Sequence, residues 1–180
     1  FLRNVTVGAG ALPTGFPSFD GLLANELGET GQTAMPGIPA GRNMSGYAAP
    51  KLEKVRIGFI GLGMRGPGAV QRMSHIEGVE IKALCDKYPD RVTKAQQILK
   101  KAGLPAAREY SQEDGWEALC ESNEIDLVYI CTPWSLHTPM AVYSMNNGKH
   151  AATEVPAALT VEDCWKLVET SEKTRKHCMM

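Results

Sequence analysis

Three glycines in this sequence have the spacing of a phosphate-binding turn. Residues 61–66, GLGMRG, fit the pattern G-x-G-x-x-G and directly follow an apolar segment typical of a buried strand. In such a turn Gly61 permits the tight bend, Gly63 lets the backbone approach a pyrophosphate, and Gly66 lets the next helix pack close to the strand. The pattern predicts a dinucleotide-binding turn; the alternative is a tight turn without a ligand. Arg65 is expected to add a contact to the phosphates.

An acidic residue follows this turn at an informative distance. Asp86 lies 20 residues after Gly66 and ends a second predicted strand, residues 80–85. A carboxylate in that place bonds the adenosine ribose hydroxyls and repels a 2′-phosphate, which favours NAD over NADP. Lys87 and Arg91 stand close in sequence and would weaken that discrimination. The alternative is a solvated acid at the end of a strand.

A polar and aromatic segment follows the most apolar predicted strand, residues 125–131. Pro133 ends that strand, Trp134 offers a flat apolar face, and His137 offers ring nitrogens. Because ligands of open parallel sheets bind at the carboxyl edge of the strands, this segment is expected to line the site. For His137 the alternative is a helix cap or a surface residue. The expected cofactor-binding residues of the segment are Thr132, Pro133, Trp134, Ser135, Leu136 and His137.

Alternating strands and helices are needed to bring these segments together. The hydrophobic pattern predicts strands at 54–60, 80–85, 109–110, 125–131 and 150–153, and helices at 67–74, 89–102, 116–120, 139–147 and 160–176. Thr160 opens the last helix, with Asp163 three residues on as in a capping box. Such alternation predicts an α/β fold, a Rossmann-type doubly wound parallel sheet with right-handed crossovers.

The chain divides by composition near residue 50. Of its 180 residues, the first 50 carry only five charged side chains and nine of the 18 glycines, whereas residues 51–180 carry the other 34 charges. Residues 1–50 are therefore expected to form an irregular arm, with a short helix at 18–27, and residues 51–180 a globular domain. The stretch at 1–12 resembles the end of a twin-arginine export signal, which predicts an exported or periplasmic protein; a cytoplasmic one is the alternative.

Composition also argues against several classes of function. The net charge of −1 gives no basic footprint for nucleic acid, and no run of about 18 apolar residues predicts a membrane span. The five cysteines show no C-x-x-C spacing, so neither a metal site nor a redox pair is predicted. Their odd number argues against a complete disulfide framework.

The motifs together resemble those of a known family. The glycine turn, Asp86, Cys131-Thr132-Pro133 with His137, and Glu154-Val155-Pro156 resemble the Gfo/Idh/MocA group of nicotinamide-dependent sugar enzymes. Within that group, residues 55–180 are most similar to glycoside hydrolase family 109, the NAD-dependent α-N-acetylgalactosaminidases. The motifs that favour this branch are Gly61–Gly68, Cys131–Trp134, His137–Met140 and Gly148–Ala158.

The resemblance implies a reaction in which NAD is a catalyst. Hydride leaves C3 of the sugar, the resulting ketone acidifies the C2 proton, the C1 substituent is eliminated, water adds back, and the hydride returns. Many members of the wider group carry Glu-Lys-Pro, and that lysine serves hydride transfer, whereas Val155 stands in its place here. The alternatives are a sugar or cyclitol dehydrogenase that consumes NAD and a non-catalytic dinucleotide-binding module.

The resemblance also assigns residues and boundaries. It adds Met64, Glu154 and Val155 to the expected cofactor contacts and places the catalytic and substrate-binding residues in a C-terminal domain beyond residue 180. The cofactor domain is accordingly expected to stop at Met180 within a strand and to be inactive alone. A small N-acetylgalactosaminide is the implied substrate. The resemblance does not decide whether the protein forms a homo-oligomer. Lys149 and His150 are expected in a solvated loop before the Glu-Val-Pro turn.

Overall fold

The computed structural model of this chain describes residues 43–180. The short helix predicted at 18–27 and the export-signal-like stretch at 1–12 lie outside the described residues. Both therefore stay predictions, as does the domain boundary at residue 50.

Six parallel strands form one sheet, and their order confirms the predicted fold class. The order across the sheet is β3-β2-β1-β4-β5-β6, which is the strand order of dinucleotide-binding doubly wound folds. The point at which the order reverses lies between β1 and β4, where the two strands pair in parallel. The strands are β1 (Val55–Ile60), β2 (Val79–Cys85), β3 (Arg108–Tyr110), β4 (Leu127–Ile130), β5 (His150–Thr153) and β6 (Cys178–Met179).

Five helices cover the two faces of this sheet. They are α1 (Gly66–Met73), α2 (Pro89–Lys101), α3 (Gly115–Glu121), α4 (His137–Asn146) and α5 (Val161–Thr174). Residues alternate between the faces along each strand: Phe59 of β1 packs with α1 and α2, whereas Val128 and Ile130 of β4 pack with α3, α4 and α5. Both faces are thus buried, as a parallel sheet requires.

The helices begin within two residues of their predicted starts. Thr160 caps α5, and its hydroxyl oxygen accepts a hydrogen bond from the Asp163 backbone N–H at 3.1 Å, which confirms the predicted start. Helix α4 begins at His137, two residues before the predicted Pro139, and continues a 3₁₀ turn at Trp134–Leu136. Proline is tolerated there because the N–H groups of a first turn have no intrahelical acceptor.

The expectation of a solvated loop before β5 is wrong. Lys149 is 7% exposed, and burial lowers its pKa. It lies close to the ion pair that Arg56 forms with Asp126, in which Arg56 Nη2 and Asp126 Oδ1 are 2.7 Å apart. His150 is half-buried, and its Nδ1 accepts a hydrogen bond from the His177 backbone N–H at 2.9 Å. Neither residue therefore lies in a solvated loop.

Candidate cofactor site

The glycine turn lies directly against the end of β4. Gly61 has a φ of +89°, and a Cβ there would lie 2.8 Å from backbone atoms of Cys131 and Thr132. A Cβ on Gly66 would collide with the carbonyl oxygen of Gly61. Packing within the chain therefore requires glycine at both positions. These contacts place the turn where the order of the strands reverses.

Gly63 differs from the other two glycines, because nothing in the described chain requires it. Its φ lies outside the positive range, and the nearest atom to an added Cβ is Arg91 Nη1 at an ordinary 3.5 Å. The remaining physical reason for a glycine at this turn is the approach of a group from outside the chain, such as a pyrophosphate. The residues present therefore fit a dinucleotide.

The amino end of α1 is suited to an anion. The helix has no side-chain cap and no acidic residue in its first turn, and Pro67 occupies a position that needs no N–H donor. Its free N–H groups and the positive end of its dipole point toward the turn. Arg65 is exposed at the N-cap, and the Met64 side chain is 93% exposed. Both residues are accessible to a ligand, as their prediction requires.

Asp86 is buried and already bonded to the turn. Its carboxylate accepts hydrogen bonds from the backbone N–H groups of Leu62 at 2.8 Å and Tyr88 at 3.0 Å. Arg91 Nη1 lies 3.4 Å from Oδ2, and its guanidinium stacks over the Tyr88 ring at 4.4 Å. Asp86 therefore joins the glycine turn to the end of β2. A carboxylate has about four lone-pair sites, so acceptance from a ribose hydroxyl is compatible with these bonds and stays a prediction.

The segment after β4 exposes its aromatic and apolar side chains. Trp134 is 63% exposed and Leu136 40% exposed, and Ser135 is exposed beside them. The buried hydroxyl oxygen of Thr132 has no hydrogen-bond partner within residues 43–180. Pro133 turns the chain out of the sheet, as predicted. The exposed indole at the carboxyl edge is accessible to a ligand, and the unpartnered Thr132 hydroxyl is the kind of buried polar group that a structure ordinarily pairs.

His137 has a place that the sequence did not indicate. Its side chain is fully buried, with Nε2 2.8 Å from the Thr132 carbonyl oxygen and Nδ1 2.7 Å from that of Pro156. Thr138 donates its hydroxyl to the Ala157 carbonyl oxygen at 3.1 Å. Both ring nitrogens thus face backbone carbonyl oxygens. His137 therefore connects the segment after β4 to the segment after β5, and it contributes to the site by fixing their positions.

Glu154 and Val155 lie at the same edge. The backbone N–H of Glu154 donates a hydrogen bond to the carbonyl oxygen of Ile130 at 3.0 Å, so the chain remains paired with β4 one residue beyond β5. The Glu154 side chain is 25% exposed, and its Oε1 accepts a hydrogen bond from the Tyr129 hydroxyl at 3.2 Å. Val155 is 68% exposed. The two positions therefore offer a carboxylate and an apolar surface beside the crevice.

Two thiols near the site are not nucleophiles. Burial raises the pKa of Cys85 and of Cys131 to about 12, so both are protonated at neutral pH. Among residues 43–180, no group of histidine, cysteine and acidic side chains is arranged to hold a metal ion. None of the helices in the same range has the length and apolar character of a membrane span.

Tertiary contacts bring the predicted segments together at one edge of the sheet. They also place there residues to which the sequence analysis gave no role or only a minor one. Arg91 was expected only to weaken the choice between NAD and NADP, yet it lies near both Gly63 and Asp86. Tyr88, which stacks with Arg91, was missed. Tyr129 was also missed as a partner of Glu154. That contact depends on the pairing of β4 with β5, which the spacing of residues in the sequence does not record.

Comparison with known proteins agrees with this fold. Residues 55–180 match the family model for the Gfo/Idh/MocA oxidoreductases, described as an NAD-binding Rossmann fold. Among curated relatives, glycosyl hydrolase family 109 protein 1 of Bacteroides fragilis is 58% identical over 150 residues, which is 82% of this chain and 32% of that protein. An α-N-acetylgalactosaminidase of Bacteroides fragilis is 58% identical over 142 residues, 79% of this chain and 33% of the relative.

The chain thus spans about a third of the length of these curated relatives. Among solved structures, the WlbA dehydrogenase of Chromobacterium violaceum, in complex with NADH and UDP-GlcNAcA, is similar with a TM-score of 0.59 and 25% identity. That match covers 71% of this chain and 35% of the dehydrogenase. Strand order, glycine turn and family match agree, and we conclude that the chain belongs to the Gfo/Idh/MocA oxidoreductase family and that residues 55–180 are its NAD-binding Rossmann domain.

Proposed function

We propose that this NAD-binding domain serves a glycosidase that removes terminal α-linked N-acetylgalactosamine. Its relatives include a protein named α-N-acetylgalactosaminidase with 58% identity over 79% of this chain. When bound, NAD supplies a hydride acceptor that returns the hydride within the same cycle, so the sugar passes through a ketone without net oxidation. The residues that act on the sugar are expected beyond residue 180.

The chain's own residues bind and orient the cofactor. The glycine turn and the amino end of α1 receive the pyrophosphate, with Met64 and Arg65 beside it. Asp86 accepts from the adenosine ribose, and Glu154 offers its carboxylate to a hydroxyl of the other half of the cofactor. The residues proposed to line the crevice between these ends are Thr132, Pro133, Trp134, Ser135, Leu136 and, through its hold on the backbone, His137.

The presence of a valine at position 155 is the observation that favours hydrolysis over net dehydrogenation. It is 68% exposed at the carboxyl edge, immediately after Glu154, where the resemblance places a lysine in many dehydrogenases. A valine can neither move a proton nor donate a hydrogen bond. A dehydrogenase that works through that lysine is therefore disfavoured, and an enzyme with another base for proton transfer is favoured.

An activity assay tests the proposal. The full-length protein, incubated with p-nitrophenyl α-N-acetylgalactosaminide without added cofactor, is expected to release nitrophenol with no net rise in NADH absorbance. The same reaction in D₂O is expected to place one deuterium at C2 of the released sugar, because the mechanism removes and replaces that proton. Cleavage without deuterium at C2 would contradict the mechanism.

The two alternatives give different results in the same assay. A sugar or cyclitol dehydrogenase would accumulate NADH in a sugar-dependent manner and release no nitrophenol, which would overturn the proposal. A binding module would retain NAD with neither activity. The dehydrogenase alternative draws support from the structural likeness to a dehydrogenase crystallised with NADH and a nucleotide sugar.

A further inference from the structure

Tyr129 is held rigidly at the carboxyl end of β4. It pairs in register with Phe59 of β1, and the two rings stack with centroids 5.3 Å apart at 24°. Phe59 is fully buried, so the ring below the tyrosine cannot move aside without disturbing the core. The phenol is therefore fixed by packing, and its position determines where its hydroxyl can donate.

The Tyr129 hydroxyl donates to one oxygen of the Glu154 carboxylate. It lies 3.2 Å from Oε1, and Arg72 Nη2 lies 3.8 Å from the same oxygen. Burial and the charge of Glu154 raise the pKa of Tyr129, so the phenol remains a donor throughout the neutral range. Within residues 43–180 these contacts fall on Oε1, which leaves Oε2 to accept from a ligand.

Tyr129 contributes more than Arg72 to the position of the Glu154 carboxylate. The Arg72 side chain is 65% exposed, and a long ion pair at that exposure contributes little to the position of a carboxylate. The tyrosine is packed in one orientation, so little side-chain entropy is lost when it holds the acid. Arg72, in the last turn of α1, adds a weak attraction toward the helix that begins at the glycine turn.

We propose that Tyr129 is a positioning residue of the cofactor site, which holds Oε1 of Glu154 so that Oε2 faces a hydroxyl of bound NAD. This inference rests on the proposed contact between Glu154 and the cofactor. It predicts that the hydroxyl of Tyr129 affects NAD affinity only through Glu154. A purely structural tyrosine would affect affinity equally with or without that carboxylate.

Tyr129→Phe in the full chain tests this, because it keeps the ring on Phe59 and removes only the hydroxyl. The dissociation constant for NAD, measured by calorimetry, is expected to rise about three- to tenfold. In the Glu154→Ala background the same substitution is expected to change the constant less than about 1.5-fold, since the partner is already missing. Equal effects in both backgrounds would overturn the inference.

Tyr143→Phe is the matched control. Its hydroxyl also donates to a glutamate, Glu121 at 2.6 Å, but on the α3–α4 surface rather than at the carboxyl edge, so unchanged NAD affinity is expected. If Glu154→Ala leaves affinity unchanged, the proposed role of Glu154 fails and the inference fails with it. If Glu154→Ala weakens binding while Tyr129→Phe does not, Glu154 keeps its role and the inference about Tyr129 alone is refuted.

Discussion

At the scale of single residues, the three glycines of the turn have different physical reasons for being glycine. Gly63→Ala places its Cβ no closer than 3.5 Å to the rest of the described chain, so the fold is expected to tolerate it. NAD binding is expected to weaken about tenfold or more, because the methyl group occupies the approach of the pyrophosphate. Thermal denaturation and calorimetry on the same sample check both parts.

Gly66→Ala provides the comparison for that prediction. Its Cβ collides with the Gly61 carbonyl oxygen, so a lower denaturation temperature is expected even without cofactor. If Gly63→Ala lowered the denaturation temperature as much as Gly66→Ala, the assignment of Gly63 to the ligand would be wrong.

A second prediction at the scale of single residues concerns Asp86. Asp86→Asn is expected to reduce the ratio of NAD to NADP affinity, because the charge that repels a 2′-phosphate is lost beside the Arg91 guanidinium. It is also expected to cost about 1–3 kcal/mol of unfolding free energy, since one carboxamide oxygen replaces two carboxylate oxygens that accept buried N–H groups. Affinity for both cofactors and urea denaturation measure these effects.

The control for Asp86 is an acid on the adjacent helix. Asp90→Asn removes a charge from an exposed pair with Lys94, whose side chains are 66% and 70% exposed, respectively. Neither cofactor preference nor stability is expected to change measurably. An unchanged preference in Asp86→Asn itself would refute the role of Asp86.

At the scale of elements, His137 joins two segments that the sequence separates by almost twenty residues. His137→Ala is expected to lower the free energy of unfolding by about 2–4 kcal/mol, because it leaves a cavity and removes the partner of two backbone carbonyl groups. NAD affinity is expected to fall as well, since the segments after β4 and β5 lose their shared anchor. Chemical denaturation and calorimetry measure the two effects.

Thr138→Val gives a graded comparison at the same junction. It removes only the hydroxyl bond to Ala157, so a loss of about 1 kcal/mol is expected. If NAD affinity in His137→Ala stayed at the wild-type value, the junction between the two segments would have no part in the site.

At the scale of the whole molecule, a division separates the amino edge of the sheet, which contributes to stability alone, from the carboxyl edge, which contributes to both stability and cofactor binding. Asp126, at the amino edge, accepts from the Arg56 backbone N–H at 2.9 Å and pairs with its guanidinium at 2.7 Å. Asp126→Asn is expected to cost about 1–3 kcal/mol of unfolding free energy near neutral pH and to leave NAD affinity unchanged. Weakened NAD binding in this variant would contradict the division.

The effect of Asp126 has a defined pH dependence. Its hydrogen bond and ion pair with Arg56 lower its pKa in the folded state, so its contribution is present above the unfolded value of about 3.9 and is lost as pH falls through the lower folded value. The stability difference between wild type and Asp126→Asn should therefore shrink below about pH 4. Glu162→Gln, whose carboxylate is 79% exposed, is the control and should change the free energy of unfolding near neutral pH by less than about 1 kcal/mol.

Local patterns were enough to predict much of the fold. The strand at 150–153 was predicted with the bounds that β5 has, and the cap at Thr160 was predicted with its partner Asp163. Both depend on residues within a few positions of one another, where hydrophobic period and capping chemistry act. The glycine spacing was informative for the same reason, because a tight turn is local.

Local patterns could not predict the contacts between segments that are distant in the sequence. The burial of Lys149 and the pairing of Tyr129 with Glu154 depend on which strands become neighbours. Sequence spacing carries no record of that choice. The error at Lys149 arose because a charged residue before a strand is usually solvated, whereas here the tertiary fold buries it.

The sequence by itself therefore determined the alternating elements, the glycine turn and the family resemblance, because each depends on residue types at short spacing. Only the tertiary structure decided that Gly63 is free of internal constraint, that Asp86 is bonded within the chain, and that His137 is buried. Those facts follow from parallel strands meeting at one carboxyl edge, which brings together residues that the chain keeps far apart.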